Sequence, residues 1–156
     1  MTKKRIAYII PGFEETHAKQ RSYNKIARLF EDNGIEPVHV EIGWHKTHPA
    51  DFHNYQSEFL KQFKKPRRGT DLYVLGFSFG AVIAFLAENK IKPTALILCS
   101  LSPYFLEDFK YFKPVWRRWW KKNFVNSDHS FGKLAPKIKS KIYLIIGDQR
   151  IPISIR

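Results

Sequence analysis

The sequence predicts an α/β fold, an open and mostly parallel sheet of about five strands with helices on both faces. Two observations predict it. Short apolar runs rich in β-branched residues alternate with segments of helical periodicity, and most of those runs lack the strict polar alternation of a strand with one wet face.

The predicted strands are Arg5–Ile10, Glu36–Glu41, Asp71–Gly76, Thr94–Ser100 and Lys141–Ile146, each bounded by turn or polar residues. Between the first two, Tyr23, Ile26, Ala27 and Phe30 recur at helical spacing, so Ala18–Asn33 is an amphipathic helix that Gly34 closes in a left-handed turn. Phe52, Tyr55, Phe59 and Phe63 define a second helix over Asp51–Lys64. The third, Phe79–Asn89, has almost no polar face and should be buried against the sheet. Strand and helix alternating in this way give right-handed crossovers, and ligands then bind beyond the carboxyl ends of the strands.

The chain has 156 residues, 44% of them hydrophobic, which suits one packed domain over 1–156 and excludes a disordered tail. A lone cysteine, Cys99, excludes an intrachain disulfide and multi-cysteine metal or iron–sulfur sites, and it suits a reducing cytoplasm. The apolar stretch after the basic N-terminus stops at Pro11-Gly12, too short for a signal core, and no run is long enough to span a membrane. Lys and Arg number 27 against 14 Asp and Glu, a net charge of +13 that favours anionic partners. The charge concentrates in two clusters without acidic interruption, Lys61 to Arg68 and Lys110 to Lys122. Solvated basic faces are the commoner origin of such clusters.

The chemistry concentrates at Gly76-Phe77-Ser78-Phe79-Gly80, directly after a predicted strand and directly before the apolar helix. A serine on a sharp strand-to-helix turn has strained backbone angles, and flanking glycines remove side chains that would collide. Its hydroxyl is then held out beyond the sheet, where the helix N-terminus and the Phe79 N–H favour a developing oxyanion.

With these residues the chain resembles the α/β-hydrolase superfamily from about Ile6 to Gly147, and the resemblance implies a three-layer sandwich and a serine hydrolase or esterase. Ile10-Pro11-Gly12-Phe13-Glu14 is similar to the family loop that gives the second oxyanion donor, which by position is Phe13. Ile142 to Gly147 is similar to the strand that precedes the acidic triad member. Family members often read Gly-x-x-Asp there; this chain has Arg150 at that place, leaving Asp148 as the displaced acid. None of the six histidines follows Asp148, so the sequence looks C-terminally truncated, its last strand and helix missing together with the triad histidine. His17, which follows the oxyanion loop, is the speculative substitute base, with a surface or capping histidine as the simpler reading. A shortened sheet should also expose an edge and an apolar face.

Residues 101–136 are expected to form a cap-like helical insertion. After Pro114, Val115, Trp116, Trp119, Trp120 and Phe124 line one side of a helix and Arg117, Arg118, Lys121 and Lys122 the other. The preferred reading packs the tryptophans over Ser78 to shape an acyl pocket; a membrane-surface helix is the alternative. Nucleic acid is disfavoured, because no recognised binding motif accompanies the charge. A metal at His45, His48, Asp51 and His53 is disfavoured by the Pro49 break, and no phosphate or dinucleotide glycine pattern implies a cofactor. The expected activity is hydrolysis of a small-molecule ester, thioester or amide through acyl-Ser78. The alternative is a non-catalytic scaffold that binds an anionic partner or membrane surface. The residues do not specify an oligomeric state.

Overall fold

The computed structural model describes residues 3–13, 20–44, 51–115, 117–118 and 129–147. Five parallel strands form one sheet in the order β2-β1-β3-β4-β5, where β1 is Arg5–Ile10, β2 Glu36–His39, β3 Asp71–Phe77, β4 Ala95–Cys99 and β5 Lys141–Ile145. Helices α1 (Gln20–Asp32), α2 (Phe52–Gln62) and α3 (Phe79–Ile91) make the first three crossovers. The open parallel sheet expected from the sequence is therefore present.

Side chains alternate between the two faces of the strands, as the strand period requires. Tyr8, Ile10, Leu72, Val74, Leu96 and Leu98 join the core shared with α2 and α3, while Ile9, Leu75 and Cys99 meet Ala27 of α1 on the other face. Helix α3 is buried almost all round, because α2 and the chain after β4 cover its outer side: Phe85 lies 5.3 Å from both Phe105 and Phe131. Its uniformly apolar composition follows from that position.

Several boundaries differ from expectation for local reasons. Strand β2 stops at His39 rather than Glu41, because the Gln62 side chain of α2 takes over the backbone of Glu41, accepting from its N–H at 3.0 Å and donating to its carbonyl at 2.7 Å. Strand β4 begins at Ala95 rather than Thr94, and the Thr94 hydroxyl accepts from Leu72 N–H at 3.0 Å. Helix α3 runs on to Ile91, and Lys92 closes it in the left-handed conformation at φ 48°.

Strand β5 shows the exposed edge and apolar face expected of a shortened sheet: every residue in it is exposed, from Ile142 at 43% to Ile145 at 53%, and Ile146 beyond it reaches 76%. Among the described residues it stands at the edge of the sheet, with β4 as its one strand neighbour. Its start is held instead by Glu88 of α3, a 2% exposed carboxylate that accepts from Lys139 N–H, Ser140 N–H and the Ser140 hydroxyl at 3.1, 3.0 and 2.6 Å. Buried charge is tolerated where several donors satisfy it in this way.

Candidate active site

Strand order reverses between β1 and β3, because β1 feeds α1 on one face and β3 feeds α3 on the other. The crevice beyond their carboxyl ends is where open α/β sheets bind ligands. Ser78 sits there as the single residue between β3 and α3. Its backbone angles, φ 51° and ψ −113°, fall where a side chain is rarely tolerated. The conformation is held by the Ser78 N–H, which donates to the Cys99 carbonyl at 2.9 Å, and by the Ser78 carbonyl, which accepts from Ala81 N–H at 3.0 Å.

Both flanking glycines are needed for close approach of backbone to backbone. A Cβ on Gly76 would stand 2.3 Å from the Gly80 carbonyl oxygen, and one on Gly80 would stand 2.4 Å from that of Pro11. Helix α3 therefore starts pressed against both the end of β3 and the loop after β1. Phe79 is the first helical residue, and amides of a first helical turn have no partner within the helix. Its ring lies 4.7 Å from that of Phe13, so the two residues expected to donate to an oxyanion are neighbours.

Next to the turn, Phe79 packs into an aromatic cluster of the core. The Phe79 ring meets Phe52 at 5.2 Å, Tyr104 at 4.7 Å and Trp44 at 6.2 Å. The Ser78 hydroxyl itself lies 2.8 Å from the hydroxyl of Ser102, which is 9% exposed. Burial pushes up the ordinary ionisation range of Tyr104 and of the Cys99 thiol, which keeps that thiol protonated and matches a packing role.

No protein-family model and no curated protein matches the sequence. Solved structures do match. An alpha/beta hydrolase enzyme from the metagenome of sediments from the lagoon of Mar Chica, Morocco, superposes with a TM-score of 0.64 at 18% identity, over 92% of this chain and 68% of that one. Mouse alpha/beta hydrolase domain-containing protein 10 gives 0.61 at 10% identity, over 96% and 82%. The chain has the α/β-hydrolase fold. A third match, polyneuridine aldehyde esterase, gives 0.51 at 16% identity over 64% of this chain, which spans 42% of the esterase.

Within the hydrolase fold, Ser78, Phe79 and Phe13 come together, whereas Asp148, His17, Trp116, Trp119 and Trp120 lie outside the described residues, as do His45 and His48. Asp51, one of the residues of the disfavoured metal grouping, caps α2, accepting from Asn54 N–H at 3.1 Å, and the His53 ring lies 4.6 Å from that of His129. Among the described residues no group of three or more metal-binding side chains is assembled, and no helix is long and apolar enough to cross a membrane. Between β4 and β5 the described residues include a 3-10 helix at Leu106–Tyr111, helical residues at Pro114, Val115, Arg117 and Arg118, one helical turn at Phe131–Leu134 and a 3-10 turn at Ala135–Lys137. Val115 is 70% exposed.

Ser102 lies in the segment beyond the carboxyl end of β4, where the sequence points to ligand binding, but the sequence assigns it no role. Sequence reasoning also did not foresee that Trp44, Phe52 and Tyr104 pack against the Phe79 ring. Their only signal was aromatic residues placed after strands or at a helix start.

Proposed function

We propose that this chain is a serine hydrolase that cleaves a small-molecule ester, thioester or amide through an acyl-Ser78 intermediate. One observation carries the reading: a serine held at φ 51° and ψ −113° between two glycines whose Cβ positions are filled by backbone. Strain of this kind persists where the surrounding structure over-determines it, which is characteristic of functional turns.

In the proposed reaction the Ser78 oxygen attacks the substrate carbonyl carbon and its proton passes to a base. The Phe79 and Phe13 N–H groups stabilise the oxyanion, and the leaving group departs with that proton. Water then attacks the acyl-serine, releasing the acid and restoring the hydroxyl. The reading takes Asp148 as the displaced acid and, since no histidine follows it in the sequence, His17 as the substitute for the missing triad base. The cap over residues 101–136, with Trp116, Trp119 and Trp120, would shape the acyl pocket. A reducing cytoplasm suits the buried free thiol of Cys99.

The test is labelling with a fluorophosphonate probe. Labelling that Ser78→Ala abolishes supports the reading, and labelling that survives Ser78→Ala removes it. His17→Ala should slow labelling at least a hundredfold; an unchanged rate would move the base elsewhere.

The exposure of Val115, beside the exposed Arg117 and Arg118, supports a second reading: a hydrolase scaffold that docks on an anionic membrane surface. Co-sedimentation with anionic liposomes that is lost when Trp116, Trp119 and Trp120 become serine would favour it. Absence of binding at low salt would remove it.

A further inference from the structure

A cleft of about 1000 Å³ lies away from Ser78. It runs along β1, β2 and the segment that joins α2 to β3, reaching from His39 at the end of β2 to Lys4, Glu36 and Thr70 at the amino ends of the strands. Seven residues of β3 separate that end of the sheet from Ser78, roughly 20 Å at the usual strand rise.

Its floor is apolar and aromatic, made by Ile6 and Tyr8 of β1 and Val38 of β2. Its wall is cationic: Lys64, Lys65, Arg67 and Arg68 line it and all are exposed. The wall is tied to the floor, since the Tyr8 hydroxyl accepts from Lys64 N–H at 3.0 Å. A turn presents the arginines: Thr70 N–H donates to the Arg67 carbonyl at 3.1 Å, and Gly69 takes φ 88° with open space at its Cβ position.

Charge balance in the cleft is one-sided. Its acidic lining residue, Glu36, is already paired with Lys4 at 2.9 Å. Among the described residues none of the four wall cations has an ion-pair partner. A solvated basic face needs neither a concave wall nor an apolar floor, and this cluster has both. Guanidinium forks match phosphate oxygens in pairs, whereas lysines add point charge. The volume lies at the upper end of small-molecule sites and exceeds what a bare phosphate would fill.

We propose that this cleft is a second binding site, separate from Ser78, for an organic phosphate: the phosphate lies against Lys64, Lys65, Arg67 and Arg68 and its apolar or aromatic body lies over Ile6, Tyr8 and Val38. The site stands whether or not Ser78 is a nucleophile.

Calorimetric titration of the full chain with 1-naphthyl phosphate tests it, with 1-naphthol as the uncharged control. The expected result is saturable binding of the phosphate, at least tenfold weaker binding of naphthol, and at least tenfold weaker phosphate binding in Arg67→Ala/Arg68→Ala. Lys25→Ala/Arg28→Ala, which removes the same charge from exposed positions of α1, should stay within twofold of the parent, as should Ser78→Ala. Displacement of the probe by soluble pyrophosphate identifies a free phosphate source, and displacement by phosphatidic acid vesicles but not pyrophosphate identifies a lipid headgroup; either keeps the phosphate site. Equal weakening in the two double variants would reduce the effect to net charge and overturn the proposal. So would naphthol binding as tightly as its phosphate, or no binding at all at low salt.

Discussion

The hydroxyls of Ser78 and Ser102 lie 2.8 Å apart, although 24 residues separate them in the chain. One follows β3 and the other β4, and the Phe77–Cys99 pairing of those neighbouring strands brings the two loops together. The contact fixes where the Ser78 oxygen points. A neutral hydrogen bond contributes on the order of 1 kcal/mol, so Ser102→Ala should slow fluorophosphonate labelling by about two- to tenfold without abolishing it. An unchanged rate would show that the contact does not orient the oxygen.

Backbone strain at Ser78 makes a separate prediction about stability. Glycine tolerates positive φ, and relief of such strain is worth about 1–3 kcal/mol, offset by roughly 0.5–1 kcal/mol of extra chain entropy. Ser78→Gly should therefore be more stable than Ser78→Ala by about 1 kcal/mol in urea denaturation. Equal midpoints for the two variants would argue against strain at this turn.

The approach of α3 to the loop after β1 leaves no room for a methyl group at Gly80, since the obstructing atoms are backbone carbonyls of Pro11 and Ile10. Gly80→Ala should cost about 3 kcal/mol or more, at the upper end of overpacking effects, because neither strand nor helix can shift alone. Gly69→Ala is the contrast: no atom lies near that Cβ position, so only the φ penalty applies. Equal losses in the two variants would count against the close approach.

Glu107 predicts a pH dependence. The Ser130 hydroxyl first, then the amides of Gly132 and Phe131, hold its carboxyl from an ordinary 4.5 down to about 2. A carboxylate lowered by folding stabilises the native state above its unfolded value, and that contribution is lost as pH falls from about 4.5 towards 2. The difference in unfolding midpoint between the parent and Glu107→Gln should therefore be largest near neutrality and shrink through that window. A difference that stays constant with pH would contradict the assignment.

The strands and helices were legible because each rests on local periodicity, and the Ser78 turn because its glycines flank a junction between two readable elements. Ser102 was not, since its role depends on strand pairing rather than on any neighbour in sequence. Trp44 follows β2, Phe52 opens α2 and Tyr104 follows β4, and only the fold places them against Phe79. The exposed edge at β5 was legible, because the resemblance placed that run next to the missing end of the sheet. Glu88, whose side chain anchors the start of β5 from another element, had no sequence signature.

That exposed strand and the charge of +13 act in opposite directions on how copies of the chain meet. An apolar strand at a sheet edge is a template for adding another strand, while like charges hold neighbours at a distance. The repulsion reaches about 30 Å in 0.01 M salt and only about 3 Å in 1 M salt, whereas the apolar attraction needs no such range. Ionic strength thus becomes the variable that governs colloidal behaviour: dilute buffer keeps the molecules dispersed, and added salt removes the repulsion and leaves β5 free to seed association.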